Sequence, residues 1–162
     1  MRRAVSFALL TTLCGCAFAP VPQLLVRSPS PGWERLFPGM PSGPADAAEL
    51  MTLYHRPTGA TVRIEAWYLG VRPIPAIAEE IRSKLSFAGV FTFRPRFDGQ
   101  VADFETTYFD RPGRSWRGKV AVLRLNEGPA ARTFIFYGRW PAEYDLLLCR
   151  DFDELVRSAT IE

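Results

Sequence analysis

The chain has 162 residues, 48% of them hydrophobic, and a formal net charge of +3. This length is enough for one compact domain with an apolar core. The charge is too small to point to nucleic acid as a partner, and no block of like charges is long enough to form an interaction tail.

The chain begins with two arginines, a short apolar run and a cysteine. The apolar segment 4–13 has the length of a signal-peptide core and is too short to span a bilayer as a helix. The tetrapeptide Leu-Cys-Gly-Cys that ends at Cys16 is similar to a bacterial lipobox. We therefore expect residues 1–15 to be a lipoprotein signal peptide. Cys16 would then carry diacylglycerol and a fatty acyl chain such as palmitate.

Two alternatives exist for this start. Ala17-Phe18-Ala19 offers an ordinary secretory cleavage site, although Pro20 would then directly follow the cut. A buried core helix is the second alternative. The lipoprotein interpretation predicts a lipid anchor in the bacterial cell envelope. The alanine after Cys16 favours the periplasmic leaflet of the outer membrane if the cell is Gram-negative.

Four prolines between residues 20 and 31 predict an extended, semi-rigid tether over 16–32. Within it, the apolar segment 24–26 is a candidate for a short strand that pairs with the domain. A single domain is predicted over 33–162.

The domain combines strand and helix periodicities. Apolar residues at three- and four-residue steps predict a helix over 74–88, with Pro75 in its first turn and Gly89 at its end. Asp151, with Glu154 in the capping-box position, predicts the start of a C-terminal helix, and 141–149 could add another helical turn or two. Strands are predicted at 49–55, 61–69, 90–93, 101–109, 119–126 and 132–138.

The order of these elements predicts an α+β fold. We expect a mostly antiparallel sheet of about six strands, with a mid-chain helix and a C-terminal helix packed on it. The strand at 132–138 is apolar on both faces, so it should lie inside the sheet with cover on both sides.

Two short stretches suggest a family. Pro31-Gly32-Trp33 opens the domain, and Gly138-Arg139-Trp140-Pro141 followed by the segment 152–158 closes it. With the hairpin, helix and meander between them, the chain resembles the PsbP-like α/β/α sandwich group, which includes bacterial DcrB-type lipoproteins. The resemblance implies an accessory or assembly role, and it brings no catalytic motif with it.

The residues offer no catalytic arrangement, metal site or cofactor motif. His55 is the only histidine and is interpreted as a surface or edge residue, and no Gly-x-Ser-x-Gly elbow is present. The pair Glu79-Glu80 is interpreted as part of a solvated helix face. Cys149 follows three leucines, so we interpret it as a buried small apolar residue. The sequence thus predicts a protein that is not an enzyme.

Aromatic residues beside arginines are the remaining signal. Trp67, Arg114, Trp116 and Arg117 form the candidate interaction surface, because tryptophan and arginine are enriched at interface hot spots. The alternative is that Trp67 packs under a helix while the arginines are a solvated rim.

The sequence therefore predicts a membrane-anchored envelope lipoprotein that acts as a non-catalytic interaction or assembly component. Its expected partners are the membrane, through the lipid, and envelope proteins. A carrier for a lipid or other apolar ligand is the alternative, with a cavity lined by the aromatic strands at 91–93, 104–108 and 134–136.

Overall fold

A computed structural model describes residues 24–36, 47–67, 72–111, 114–126 and 131–161. The predicted signal peptide and Cys16 lie outside the described residues. The strands and helices are, in chain order, β1 (Leu24–Leu25), β2 (Trp33–Leu36), β3 (Ala47–His55), β4 (Ala60–Trp67), α1 (Ile74–Phe87), β5 (Phe91–Thr92), β6 (Arg96–Asp98), β7 (Val101–Arg111), β8 (Arg114–Leu125), β9 (Arg132–Pro141), α2 (Asp145–Arg157) and β10 (Thr160–Ile161).

The described strands form one large antiparallel sheet and one small one. The order in the large sheet is β2-β3-β4-β9-β8-β7-β5, with β6 also paired to β7. The predicted α+β fold and antiparallel sheet are confirmed. The sheet has eight strands where about six were predicted, because β2 and β6 are too short and too exposed to show an alternating pattern.

The two helices pack on opposite faces of the large sheet. Helix α1 contributes Ile77 and Ile81 to one apolar cluster, and α2 contributes Leu148 and Phe152 to the other. We call these surfaces the α1 face and the α2 face. The result is an α/β/α sandwich, which is the architecture implied by the sequence resemblance.

Strand β9 lies inside the sheet, between β4 and β8, as predicted. Phe134 and Phe136 are buried on the α2 face, while Ile135 is buried on the α1 face. A strand covered on both sides needs apolar residues at successive positions, and this explains its continuous apolar run.

Helix α1 matches its prediction closely. Proline occupies its first turn, and Gly89, with a φ of +85°, follows its last residues. A left-handed backbone conformation at this point favours glycine, because it has no Cβ. Glu80 and Lys84 form the expected i,i+4 ion pair at 2.6 Å.

Helix α2 begins six residues before the predicted cap. A 3-10 turn at Ala142–Tyr144 leads directly into the helix at Asp145. The Trp140 indole Nε1 donates to Asp145 Oδ1 at 2.8 Å, which ties the end of β9 to the helix start. The prediction that Asp151 caps this helix is wrong, because Asp151 lies within it and is buried.

Asp151 instead holds the N-terminal segment against the domain. Its Oδ2 accepts hydrogen bonds from Trp33 Nε1 at 3.0 Å and from Ser30 Oγ at 2.5 Å. Leu24 is buried in the α2-face cluster and pairs with Ile161 in the small sheet, so the predicted strand pairing of segment 24–26 is confirmed for Leu24 and Leu25. Within the described ranges, no helix has the length and apolar character needed to cross a membrane.

Candidate functional site

One part of the α1 face is not covered by α1. The helix packs over β7 and β8, and a row of polar and aromatic side chains remains on the neighbouring surface. These side chains share the α1 face because strand residues alternate between the two faces. We call this surface the arginine–aromatic strip. It consists of Arg63, Glu65, Trp67, Tyr108, Trp116, Tyr137 and Arg139.

The centre of the strip is the exposed guanidinium of Arg139. Its Cζ lies 4.3 Å from the centroid of the Trp116 ring and 5.5 Å from that of Tyr108. Both distances are within the range of a cation–π contact, and a planar guanidinium stacks well on aromatic rings. The stack holds the Arg139 side chain against the two rings, while the residue remains exposed.

A second stack lies beside the first. The Arg63 guanidinium is 4.8 Å from the centroid of the Tyr137 ring and forms an ion pair with Glu65 at 3.1 Å. Glu65 Oε2 also accepts a hydrogen bond from Trp67 Nε1 at 3.3 Å. Glu65 therefore links Trp67 to Arg63, and the second stack lies next to the first because Tyr137 and Arg139 are two residues apart on the same face of β9.

The phenol of Tyr137 stays neutral in this setting. Burial raises its pKa most, and the nearby Glu65 carboxylate raises it further. A neutral hydroxyl beneath Arg63 can donate a hydrogen bond to Glu65. The strip thus has two arginines and one carboxylate among its titratable charges at neutral pH.

Gly118 makes the close packing of the strip possible. A Cβ added there would lie 2.6 Å from Thr106 Oγ1 and 3.1 Å from Tyr108 Cε2, and it would also clash with the Gly138 carbonyl oxygen. Because glycine leaves this space empty, the Tyr108 ring can lie close to β8 and next to Trp116.

The structure places the predicted interaction residues in different settings. Trp67 and Trp116 lie at the two ends of the strip, and Trp67 also packs beside α1, with Lys84 Nζ 5.6 Å from its ring centroid. Arg117 lies on the α2 face, where Nη1 donates to Thr107 Oγ1 at 3.1 Å. Arg114 begins β8, and its side chain is outside the described part of the structure.

Five residues of the strip were not predicted from the sequence: Arg63, Glu65, Tyr108, Tyr137 and Arg139. Strand alternation would have placed Tyr137 and Arg139 on one face. It does not show that β4, β9, β8 and β7 are neighbours in that order. The pairing of Arg139 with Gly118 and of Tyr108 with Trp116 brings the aromatic rings to the arginine.

The other titratable residues have structural roles. His55 is buried, with Nδ1 2.8 Å from Thr58 Oγ1 and its ring 5.1 Å from that of Trp33, so the interpretation as a surface residue is wrong. Cys149 is half-buried against the α2-face cluster, and burial raises the pKa of its thiol. Among the residues that the structure describes, no three His, Cys, Asp or Glu side chains are grouped to hold a metal ion.

The aromatic strands do not line a common cavity. Phe104 is buried under α1, Phe134 and Phe136 are buried under α2, and Phe91 and Phe93 are exposed near the edge of the sheet. A cavity of about 190 Å³ lies elsewhere on the α2 face, between the N-terminal segment and strands β2 and β3. Its lining residues include Leu24, Val26, Trp33, Met51 and Leu53.

The chain is similar in fold to a solved bacterial protein. It is similar to LpqN, which is involved in cell envelope biogenesis of Mycobacterium tuberculosis, with a TM-score of 0.51, 10% sequence identity, and coverage of 90% of this chain and 87% of LpqN. It is also similar to the cyanobacterial PsbP (CyanoP) of Synechocystis sp. PCC 6803, with a TM-score of 0.47, 11% identity, and coverage of 92% and 97%. No protein-family model and no curated protein matches the sequence. At 10% sequence identity, the similarity to LpqN concerns the fold alone.

Proposed function

We propose that the protein is a lipid-anchored component of the bacterial cell envelope that binds a partner protein through the arginine–aromatic strip and has no catalytic activity. The observation that carries the proposal is the solvent-facing stack of Arg139 on Trp116 and Tyr108. Arginine, tryptophan and tyrosine are the residue types that contribute most at protein interfaces. LpqN shares the fold and is involved in cell envelope biogenesis, which supports the envelope location.

The charges of the strip indicate the chemistry of the partner. Arg63 is neutralised by Glu65, whereas Arg139 has no ion pair among the described residues. A stacked guanidinium offers several donors in a planar fork, which matches a carboxylate on the partner. We therefore propose that an Asp or Glu side chain of the partner binds Arg139, flanked by apolar contacts to Trp116 and Tyr108.

With a lipid anchor, an interface of modest affinity would be enough to hold the partner protein. Cys16, acylated as the sequence predicts, keeps the domain beside the bilayer, and tethering raises the effective concentration of a membrane-bound partner. Several acyl chains on one terminus give stable membrane attachment, because a single chain is only marginally retained.

The test is crosslinking in intact membranes followed by mass spectrometry of proteins co-purified with the full chain. Wild type should capture a reproducible envelope protein. Arg139→Ala and Trp116→Ala should each weaken its binding by roughly 30-fold, which corresponds to a hot-spot loss of about 2 kcal/mol. Arg150→Ala removes an exposed arginine from the opposite face and serves as the matched control. Equal capture by all three variants would refute the strip as the interface.

A carrier for an apolar ligand is the second candidate function. The cavity beside Leu24 and Met51 is the observation that favours it. Its volume of about 190 Å³ is below the usual range of small-molecule sites, so a ligand would have to be short or only partly enclosed. Native mass spectrometry of the purified protein tests this alternative, and a bound lipid displaced by Leu53→Trp would support it.

A further inference from the structure

The outer surface of α2 starts with exposed apolar side chains. Leu146 is 94% exposed, and Leu147 and Tyr144 beside it are also exposed. Leu146 faces away from the sheet, whereas Leu148 and Phe152 of the same helix are buried in the α2-face cluster. Exposed apolar groups that adjoin one another mark surfaces that contact a partner or a membrane.

Two further exposed residues, Phe91 and Arg117, lie on the same face of the sheet. The start of α2 is tied to β9 through Asp145 and Trp140, and Trp140 pairs with Arg117 on β8. Arg117 pairs in turn with Thr107 on β7, and Thr107 pairs with Phe91 on β5. Directly opposed residues of antiparallel strands have their side chains on the same face. We name the group Phe91, Arg117, Tyr144, Leu146 and Leu147 the apolar corner.

The N-terminal segment joins the domain on this same face. Leu24 is buried in the α2-face cluster and pairs with Ile161, just after the end of α2. Only eight residue steps separate Cys16 from Leu24, and a chain of that length extends at most about 28 Å. A lipid on Cys16 therefore limits how far Leu24, and the face that holds it, can lie from the bilayer.

The length of α2 places the apolar corner within reach of that bilayer. The helix has 13 residues and is about 20 Å long. Leu24 lies near its C-terminal end, and Leu146 lies at its N-terminal end. When α2 lies along the membrane surface, both ends contact the bilayer and the tether needs no full extension.

We propose that the apolar corner contacts the bilayer to which the lipid anchor attaches, an inference that rests on the proposed function. Leucine and aromatic side chains in such a surface insert at the boundary between headgroups and acyl chains. Arg117 is exposed among them, and its Nη1 donates to a threonine hydroxyl. An anionic phospholipid headgroup is the complementary partner for this guanidinium.

This orientation gives the two faces different environments. The sheet separates the apolar corner from the arginine–aromatic strip, because Arg117 and Trp116 are adjacent in β8 and point to opposite faces. With the α2 face against the bilayer, Arg139 and Trp116 point away from lipid. The strip is then accessible to a soluble or membrane-bound partner protein.

The test is site-specific photocrosslinking of the full chain in its own membranes. p-Benzoylphenylalanine replaces Leu146 or Phe91 in the apolar corner, and it replaces Phe87 at the end of α1 as the control. Phe87 is 97% exposed and is apolar, so it matches Leu146 in accessibility but belongs to the helix on the opposite face. We expect at least about fivefold more phospholipid adduct at positions 146 and 91 than at position 87.

Two outcomes would overturn the inference. Equal lipid adducts at positions 87 and 146 would show that no face is preferred. Protein adducts at positions 91 and 146, from a second copy or another envelope protein, would show that the corner is a protein interface. The mass of the mature chain in the same sample separates this inference from the proposed function. If Cys16 is acylated and the lipid adducts at positions 87 and 146 are equal, only the proposed orientation is refuted. If the chain is unacylated and found in the soluble fraction, the lipid anchor is refuted as well.

Discussion

The two faces of the sheet are built from the same strands and differ in how completely they are covered. On the α2 face, the apolar cluster contains eighteen buried residues of the described chain. Two of them, Leu24 and Trp33, come from the N-terminal segment and add to the cover that α2 provides. On the α1 face, the cluster contains nine such buried residues, four of them on α1 itself, and the arginine–aromatic strip lies beside it. The first face therefore contributes more apolar burial to stability, and the second leaves side chains available for binding.

Each face has a glycine at a point where aromatic rings approach a strand closely. Gly138 lies on the α2 face, where an added Cβ would be 2.6 Å from both the Phe152 and Trp140 rings, so glycine lets the core aromatics pack tightly. Gly118 lies on the α1 face, where the same device brings Tyr108 next to the surface residue Trp116. A glycine that lets aromatic rings approach a strand thus supports core packing on the α2 face and the arginine–aromatic strip on the α1 face.

The largest expected effect is the loss of the aromatic core on the α2 face. Phe152→Ala should lower the free energy of unfolding by about 4 kcal/mol, because a fully buried phenylalanine leaves both lost burial and a cavity. Ile77→Ala on the α1 face is the comparison and should cost about 3 kcal/mol, since it removes fewer buried atoms. Urea denaturation measures both. A larger loss for Ile77→Ala would contradict the view that the α2 face is the main core.

The next effect concerns the attachment of the N-terminal segment. Asp151→Ala should lower the free energy of unfolding by about 2 kcal/mol, because the Trp33 indole N–H and the Ser30 hydroxyl lose a buried acceptor. Asp151→Asn keeps an acceptor oxygen and should cost about half as much. Urea denaturation combined with trypsin cleavage after Arg27 measures stability and detachment together. If both variants lowered the free energy of unfolding by the same amount, the hydrogen bonds to Asp151 would not be what stabilises the attachment of the N-terminal segment.

Much of the fold could be predicted from the sequence, because helix α1 and the central strands carry strong local periodicities. Ile74, Ile77 and Ile81 at helical spacing indicated the buried stripe of α1, and the continuous apolar run in β9 indicated burial on both faces. The short edge strands β2 and β6 were missed because alternation needs more than three or four residues to be visible.

The helical turns expected over 141–149 are present, but the residue that begins α2 and the make-up of the strip could not be predicted, for two different physical reasons. Asp151 followed by Glu154 has the spacing of a capping box, but its carboxylate is used by Trp33, which is 118 residues away in the sequence. The strip depends on the order of β4, β9, β8 and β7, and local sequence does not set this order. Residue type was enough to select Trp67 and Trp116, but the stacking of Arg139 on Trp116 became visible only in the folded sheet.

A third effect appears at alkaline pH, because one group on each face holds its proton more strongly in the folded protein than in the unfolded chain. Burial lowers the pKa of Lys119, but ion pairs with Asp103 at 2.7 Å and Asp153 at 2.6 Å outweigh it and raise the pKa above 10.5. Burial and then Glu65 raise the pKa of Tyr137 above 10.0. Raised pKa values mean that both groups stabilise the fold fully below about pH 10, and that this stabilisation is lost as the pH rises further.

Denaturation measured between pH 9 and 12 tests these two groups separately. Each contributes at most about 1.4 kcal/mol of lost stability per pH unit. In wild type, the free energy of unfolding should fall as the pH rises. Lys119→Met should make this fall less steep by removing the titrating group on the α2 face. Tyr137→Phe should do the same by removing the titrating group on the α1 face. Wild-type stability that is constant up to pH 11 would show that neither shift exists.

The smallest effect on stability is expected in the strip itself. Arg139→Ala removes two exposed cation–π contacts and should change the free energy of unfolding by less than about 1 kcal/mol. Arg139→Lys retains the charge but not the planar stacking group, so it should be equally stable and still bind the partner protein more weakly than wild type. Thermal unfolding and crosslinked capture of the two variants measure these properties in parallel. If Arg139→Ala destabilised the protein as much as Phe152→Ala does, the strip would be part of the core, and the division between a face for stability and a face for binding would fail.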